Sequence, residues 1–299
     1  MPSTLPHETS DDPTVATTAE GKTARPFGAL SSTMKDHLYY LDTGCIFTSP
    51  WVMTEVAVRR AATILLTANR AAFDVCMADS TQSYQAVAIK PLIKRGVHAA
   101  DVKLVSVNVG PLHQSFRVFR AIPAPGALAL DRDVFAPFDS ALEAAYRGQV
   151  TLDEMMELYE KIVAVTVRYL PRVKPADARV EQAIELLREN PNRPLHELAD
   201  AIGLSYGRMS QLFAETVGIS LRSYQLNQKI HKATLLLGTG RKLTDIAHAC
   251  GFTDLAHLSR VFQQISGAPL SYFMNSNYVE ILRKDNAPST PPPPPETQR

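Results

Sequence analysis

Cysteine is scarce in this chain, and so is any excess of one charge. The three cysteines among 299 residues, Cys45, Cys76 and Cys250, lie in apolar surroundings without a C-x-x-C or other metal-like spacing. That argues against a disulfide framework or a thiolate metal centre and fits reduced thiols in the core of a cytoplasmic protein. Lys plus Arg number 31 against 30 Asp plus Glu, a formal charge of +1. A polyanion partner usually leaves a basic excess, so any basic surface here must be local. Long apolar runs are missing too, and the N-terminus is acidic and polar where a signal peptide would be basic and then apolar. The expectation is a chain without membrane contact.

What is present is a repeat. Leu195-His-Glu-Leu198-Ala199-Asp-Ala-Ile202-Gly203-Leu204 returns as Leu243-Thr-Asp-Ile246-Ala247-His-Ala-Cys250-Gly251-Phe252, an offset of about 48 residues. Met209, Leu212, Phe213 and Gly218 are then answered by Leu258, Val261, Phe262 and Gly267, with one extra residue after the central glycine. Each unit reads as a short helix, a glycine turn and a second helix. That is the helix-turn-helix, whose second helix lies in the DNA major groove.

The rest of the chain supplies a second domain and two tails. Residues 1–35 mix Thr, Ser, Pro, Asp and Glu without period and predict a disordered tail; residues 285–299, with Pro291 to Pro295, predict a polyproline tail. From about His37 to Phe135 short β-branched runs at 52–58, 61–67, 71–77, 85–89 and 103–109 alternate with polar or Gly/Pro breaks. Several short strands at that spacing favour a barrel or jelly roll. After Pro137 the period turns helical. Phe138, Leu142 and Ala145 share one face, and Leu152, Met155, Met156, Tyr159, Ile162, Val163 and Val167 form a wide stripe ending before Pro171. The stripe serves either as packing for its own domain or as a dimer interface, and both readings stand.

In the first head, Pro194 opens the helix, Gly203 makes the turn and Ser205 is placed to cap the second helix, with its hydroxyl also near a phosphate. If Met209, Leu212 and Phe213 face inward, Gly207, Arg208, Ser210, Gln211 and Ala214 face out, where Arg208 and Gln211 suit bidentate contacts to guanine and adenine. In the second head Asp254 is the expected cap. Leu258, Val261 and Phe262 point inward, which leaves Leu255, Ala256, His257, Ser259 and Arg260 for base edges and Gln263 for phosphate. Between the heads, a helix from Leu221 to Leu237 is apolar on two sides. At 1.5 Å per residue it spans about 25 Å, a spacer that sets the heads about one duplex turn apart. Arg208, Arg222, Lys229, Lys232, Arg241 and Lys242 face only Glu215 over this stretch, so Arg222, Lys229 and Lys232, with Thr244 at the next helix start, are candidate phosphate contacts.

Tyr224-x4-Lys229-Ile230-x2-Ala233-x2-Leu236-Leu237, then Leu243-x2-Ile246-Ala247-x3-Gly251-Phe252-x5-Leu258-Ser259-Arg260-Val261-Phe262 and Gly267-x-Pro269-x2-Tyr272, resembles the C-terminal signature of the AraC/XylS family of transcriptional regulators. The match covers roughly the last third of the chain. It implies sequence-specific binding near promoters, commonly activation through RNA polymerase, and an N-terminal cupin-like sheet domain that senses an effector or dimerises. The chain departs from the pattern at Gln211, Ala214 and Gln263, where the family often carries Arg or Lys, and at Lys229, where Arg is usual. Fewer phosphate contacts follow, so affinity leans on dimerisation.

A cupin metal site needs clustered His with Glu, whereas His37, His98 and His113 are scattered. No metal and no cofactor are expected. A barrel mouth lined by Trp51, Arg59, Arg60, Arg70 and Tyr84 is a candidate effector pocket, the arginines favouring an anion, although a solvated surface explains them as well. The sequence thus predicts an α+β chain with an N-terminal cupin-like jelly-roll domain and flanking helices, followed by a C-terminal all-α domain with two helix-turn-helix motifs. The expected boundaries are a tail at 1–35, the regulatory domain at 36–136, a helical dimerisation element at 137–171, a linker at 172–179, the DNA-binding domain at 180–284 and a tail at 285–299. The expected function is a sequence-specific transcriptional regulator, an activator and not an enzyme, whose partners are double-stranded DNA, RNA polymerase, a small-molecule effector and a second copy of itself. The alternative is a cupin-class enzyme or an interaction module with a DNA-binding appendix; the chain has neither a G-x-S-x-G elbow nor a phosphate loop to support the enzyme.

Overall fold

The computed structural model describes residues 16–17, 23–24, 36–54, 56–77, 80–237, 239–266, 269–274 and 279–282. Most of the expected N-terminal tail, Gly267 and the whole of the expected C-terminal tail lie outside them. Within the N-terminal stretch, β1 (Ala16–Thr17) pairs antiparallel with β2 (Thr23–Ala24).

The sheet domain follows as β3 (Asp36–Leu41), β4 (Gly44–Met53), β5 (Ala57–Val58), β6 (Ala62–Thr67), β7 (Phe73–Met77), β8 (Ser80–Tyr84), β9 (Ala86–Ile89) and β10 (Lys94–Val109). The short helix α1 (Phe116–Phe119), strand β11 (Ala127–Ala129), a 3-10 turn at Arg132–Phe138, α2 (Asp139–Tyr146) and α3 (Leu152–Val167) complete it. β10 is the organising strand. Its N-terminal part pairs with β5 and β7, its C-terminal part with β6, and β4 runs alongside both parts with the register broken between Ala100 and Leu104. At that break Asp101 takes a positive φ of 57°. A bulge of this kind bends a strand and lets one strand serve two ladders.

Strand alternation gives the sheet two working faces. Tyr39, Ile46, Ile64, Leu66, Val105 and Val107 enter one core with Leu142, Ala145, Met155, Tyr159, Ile162 and Val163 of α2 and α3. The Tyr39 hydroxyl donates to the Ala145 carbonyl at 2.8 Å, fixing α2 on the sheet. The neighbouring residues Leu38, Tyr40, Cys45, Phe47, Ser106 and Asn108 face the opposite way, toward a cavity. α3 begins with a capping box, Thr151 accepting from the Glu154 amide and the Glu154 carboxylate accepting from Thr151, a device that stabilises a helix start by about 1 kcal/mol.

Several boundaries differ from the sequence reading. The run 103–109 is only the end of a 16-residue strand, and β3, β8 and the first half of β4 were not expected as separate strands. The run 52–58 splits between β4 and β5. β8 was hidden because Ser80-Thr-Gln-Ser-Tyr84 is exposed at every position but the last, so it carries no apolar period. The apolar stripe of α3 packs on its own sheet: Leu152, Met155, Tyr159, Ile162 and Val163 are buried, Leu158 and Thr166 join them, and Met156 is 39% exposed. The stripe is therefore used within the chain, and as a dimer interface at 137–171 it would have to leave its own core.

Residues 171–177 are irregular, and the Lys174 carbonyl accepts from the Arg117 guanidinium. The C-terminal domain then runs α4 (Ala178–Glu189), α5 (Leu195–Ala201), α6 (Tyr206–Val217), α7 (Leu221–Leu236), α8 (Leu243–Ala249), α9 (Leu255–Ser266) and α10 (Leu270–Phe273). Asp177 caps α4, accepting from the Arg179 amide; hydrogen bonds from Arg179 hold its carboxyl down at about 2. Among the described residues the last element is a strand. β12 (Val279–Leu282) returns to the N-terminal sheet and pairs in parallel with β3, Val279 opposite Asp36 and Leu282 opposite Tyr39. The last described strand thus joins the sheet whose first strand is β3.

Candidate nucleic-acid interface

Both heads form as paired helices around a glycine turn. Gly203 and Gly251 close α5 and α8 with φ of 69° and 75°, the left-handed region that side chains with a Cβ rarely enter. Ser205 starts α6 by accepting from the Arg208 amide, and Asp254 starts α9 by accepting from the His257 amide at 2.7 Å. In α6, Met209, Phe213 and Val217 are buried; in α9, Leu258, Val261 and Phe262 are. The 3.6-residue period then turns the intervening side chains outward.

On α6 the outward face holds Gly207, Arg208 and Gln211, all exposed, with Ser210 half-buried. The side chains form a short ladder. Arg208 donates to the Gln211 amide oxygen at 3.5 Å, and Gln211 donates to Glu215 at 2.9 Å. On α9, Ala256, Arg260 and Gln263 are exposed and Leu255, His257 and Ser259 are half-buried. His257 is occupied locally, with Nδ1 at 3.1 Å from the Thr253 hydroxyl and its ring edge-on to Phe252.

Among the expected phosphate contacts, Ser205, Arg222, Lys232, Thr244 and Gln263 are exposed. Lys229 is not: its ammonium donates to the Gly251 carbonyl at 3.4 Å, and burial pulls its pKa down. It bridges α7 to the turn of the second head. α7 has 16 residues, close to the expected spacer of about 25 Å.

α7 is double-sided. Tyr224 meets Phe213 of the first head edge-to-face, with centroids 5.2 Å apart. The stripe Asn227, Ile230, His231, Thr234 and Leu237, at helical spacing, lines a cavity of about 210 Å³ between the sheet and the second head. His231 stacks on Tyr40 of β3 at 5.5 Å, with Nδ1 3.3 Å from the tyrosine hydroxyl. Burial pushes the His231 pKa down and the Tyr40 pKa up, and raises the Cys45 thiol to about 12.

Of Arg59, Arg60, Arg70 and Tyr84, expected to form an effector pocket, Arg59 alone is among the described residues that line this cavity. Arg70 lies on the surface, paired with Asp133 at 2.6 Å and Asp139 at 2.8 Å, because those carboxylates follow one another at the start of the helical layer. Arg60 reaches Ser223 of α7 at 3.4 Å, and the Tyr84 hydroxyl donates to Gln82 on the exposed β8. Trp51 sits on β4 opposite Ala100. Sequence reasoning missed Arg95, which lines the cavity and is 6% exposed. Its signal was the inward alternation Arg95, Val97, Ala99, visible only once the strand is taken to begin at Lys94.

Two helix pairs of this geometry, joined by a shared helix, define a double helix-turn-helix domain. A helix-turn-helix domain family matches residues 198–276. Over 103 residues the chain is 35% identical to the arabinose operon regulatory protein of Escherichia coli, an overlap of 33% of this chain and 35% of that protein. It is 24% identical over 226 residues to the HTH-type transcriptional regulator YijO of Escherichia coli, covering 75% of this chain and 69% of that one. Among solved structures, ToxT from Vibrio cholerae is similar with a TM-score of 0.48 at 11% identity, covering 77% of this chain and 96% of that chain. The chain spans about a third of the length of the arabinose regulators it matches. The C-terminal domain carries a helix-turn-helix domain and is similar over that part of the chain to the arabinose operon regulatory proteins.

Proposed function

We propose that this chain is a sequence-specific DNA-binding transcriptional regulator, an activator modulated through its N-terminal sheet domain, which would act as a cupin-like regulatory domain. The observation that carries the reading is the matched polarity of α6 and α9: each buries one apolar stripe and leaves an arginine-bearing face exposed. Arg208, Ser210 and Gln211 would read one major-groove segment, and Ala256, Ser259 and Arg260 the next. Leu255 and His257, half-buried, would contribute apolar contact and orientation. Arg222, Lys232, Thr244 and Gln263 would hold phosphates, while Lys229 keeps the spacer joined to the second head.

Double-stranded DNA is the primary partner in this reading, RNA polymerase the partner through which activation acts, and a small molecule the effector. A homodimer would need a surface other than the α3 stripe. A gel-shift series in rising salt against DNA upstream of the chain's own gene tests the proposal. Specific retention that weakens with salt is the expected result; binding that ignores sequence at every salt concentration would overturn it.

A further inference from the structure

α6 carries a single acid, Glu215, on the face that the reading above turns toward DNA. A carboxylate there repels the phosphates that Arg and Lys attract, so its presence costs affinity. Helix phase shows what it does instead. Arg208, Gln211 and Glu215 stand at i, i+3 and i+7, and all three are exposed. Gln211 donates a side-chain N–H to the Glu215 carboxylate at 2.9 Å, and its amide oxygen accepts from the Arg208 guanidinium at 3.5 Å.

The polarity of this ladder is forced by the chemistry of its ends. A carboxylate only accepts and a guanidinium only donates, so an amide between them must turn its nitrogen to Glu215 and its oxygen to Arg208. The reverse orientation sets oxygen against oxygen at one end and N–H against N–H at the other. Each neighbour uses one N–H or one lone pair of the amide, which leaves one donor and one acceptor in a fixed order. Adenine offers the matching pair in the major groove, N7 as acceptor and the N6 amino group as donor. An A·T pair and its inversion present these groups in opposite order along the groove. An amide of fixed polarity therefore tells the two apart, whereas a freely turning one takes either.

Glu215 is itself held from the sheet domain. Its backbone carbonyl accepts from Arg120, the residue after α1, at 3.2 Å. Gly218, at φ 98°, makes room for that side chain, because a Cβ there would overlap it. The guanidinium also meets the negative end of the α6 dipole.

We infer that Glu215 is a positioning residue that sets base specificity in the first head: it fixes the Gln211 amide so that Gln211 reads adenine on one strand only. This role rests on the reading of α6 as a DNA-recognition helix.

Two measurements on the full chain test it. Without DNA, nuclear magnetic resonance of glutamine-labelled protein reads the Gln211 side-chain amide protons. One of them is expected to be shifted from the free-amide position in the unaltered chain, to return to it in Glu215→Ala and to stay shifted in Glu215→Asp. With DNA, a duplex selected from a random pool by the unaltered chain is varied by inverting each A·T pair in turn. At the pair whose preference disappears in Gln211→Ala, inversion is expected to weaken binding at least about fivefold, the low end of what a bidentate base contact discriminates. Glu215→Ala should bring that ratio below about twofold while leaving the preference lost in Arg260→Ala unchanged. Glu215→Asp, which still only accepts, should restore part of it. A ratio that Glu215→Ala leaves intact overturns the inference, as does an equal fall at every pair, the mark of a merely structural role, or a selected duplex with no pair that depends on Gln211. Failure to select any preferred duplex removes the regulator reading instead; the amide protons then decide whether Glu215 orients Gln211, and an unshifted proton overturns that too.

Discussion

The two heads share a sequence pattern but not an attachment. The first is continuous with the main core: Met209, Phe213, Val217 and Tyr224 belong to the same apolar cluster as Tyr39 and the α3 stripe. Arg120 donates to the Glu215 carbonyl and Arg188 to the Leu112 carbonyl, tying it further to the N-terminal domain. The second has a cluster of its own, in which Ile246, Leu258, Phe262 and Phe273 meet the sheet through Leu38 and through Val279 of β12. Between it and the sheet lies the cavity. The difference teaches that a duplicated motif is assigned its mechanical role by what it packs on: one head is built into the scaffold, and the other is held across a fillable gap.

The largest expected effect probes that contrast at matched repeat positions. Phe213 is fully buried, whereas Phe262 lines the cavity at 5% exposure. Phe213→Ala should destabilise the whole chain by about 3–5 kcal/mol in urea unfolding, and Phe262→Ala by clearly less, because Phe262 already borders a cavity. Equal losses would mean that the second head is as integrated as the first. Next in size, Arg260→Ala should weaken specific DNA binding by about 1–3 kcal/mol and relax preference at one base position, whereas Lys232→Ala should weaken all sequences alike and lower the salt slope by about one. Identical binding profiles for the two variants would erase the division between base and phosphate contacts. Smaller again, Asp254→Ala removes the α9 cap and should cost about 1 kcal/mol, seen as faster amide exchange in the second head while the first is unchanged.

The smallest effect is a pH dependence at the gap. Burial lowers the His231 pKa below its ordinary 6.5, so the neutral ring contributes stability that is present above pH 6.5 and is lost as pH falls through the folded-state value. Unfolding midpoints should therefore drop on mild acidification, and His231→Phe, which keeps an aromatic ring against Tyr40, should flatten that drop. An unchanged slope in the variant would place the acid sensitivity elsewhere.

The helical half was legible almost residue by residue. α5 and α8 have the expected limits, and α6, α7 and α9 end within a residue of expectation, because glycine turns, caps and i, i+3, i+4 stripes are local signals. The sheet half was legible only as strand-rich. β8 has no apolar period, and β10 carries polar residues such as Lys94, Asp101 and Lys103 on its solvent side, so its length was readable only from its partners. The exposure of Arg208, Gln211 and Arg260 followed from helix phase alone. Arg95 did not, since its importance depends on which walls surround it.

Local periodicity and turn chemistry in the sequence thus determined the second helix of each helix-turn-helix, its cap and its outward residues, together with a strand-rich partner domain. Tertiary structure alone decided that β12 joins β3, that the α3 stripe is filled by its own sheet, and that Arg95 faces an apolar gap. Those features are pairings between segments far apart in the chain. A residue's own neighbours fix its phase, while the burial of its charge is fixed by whatever the fold brings opposite it.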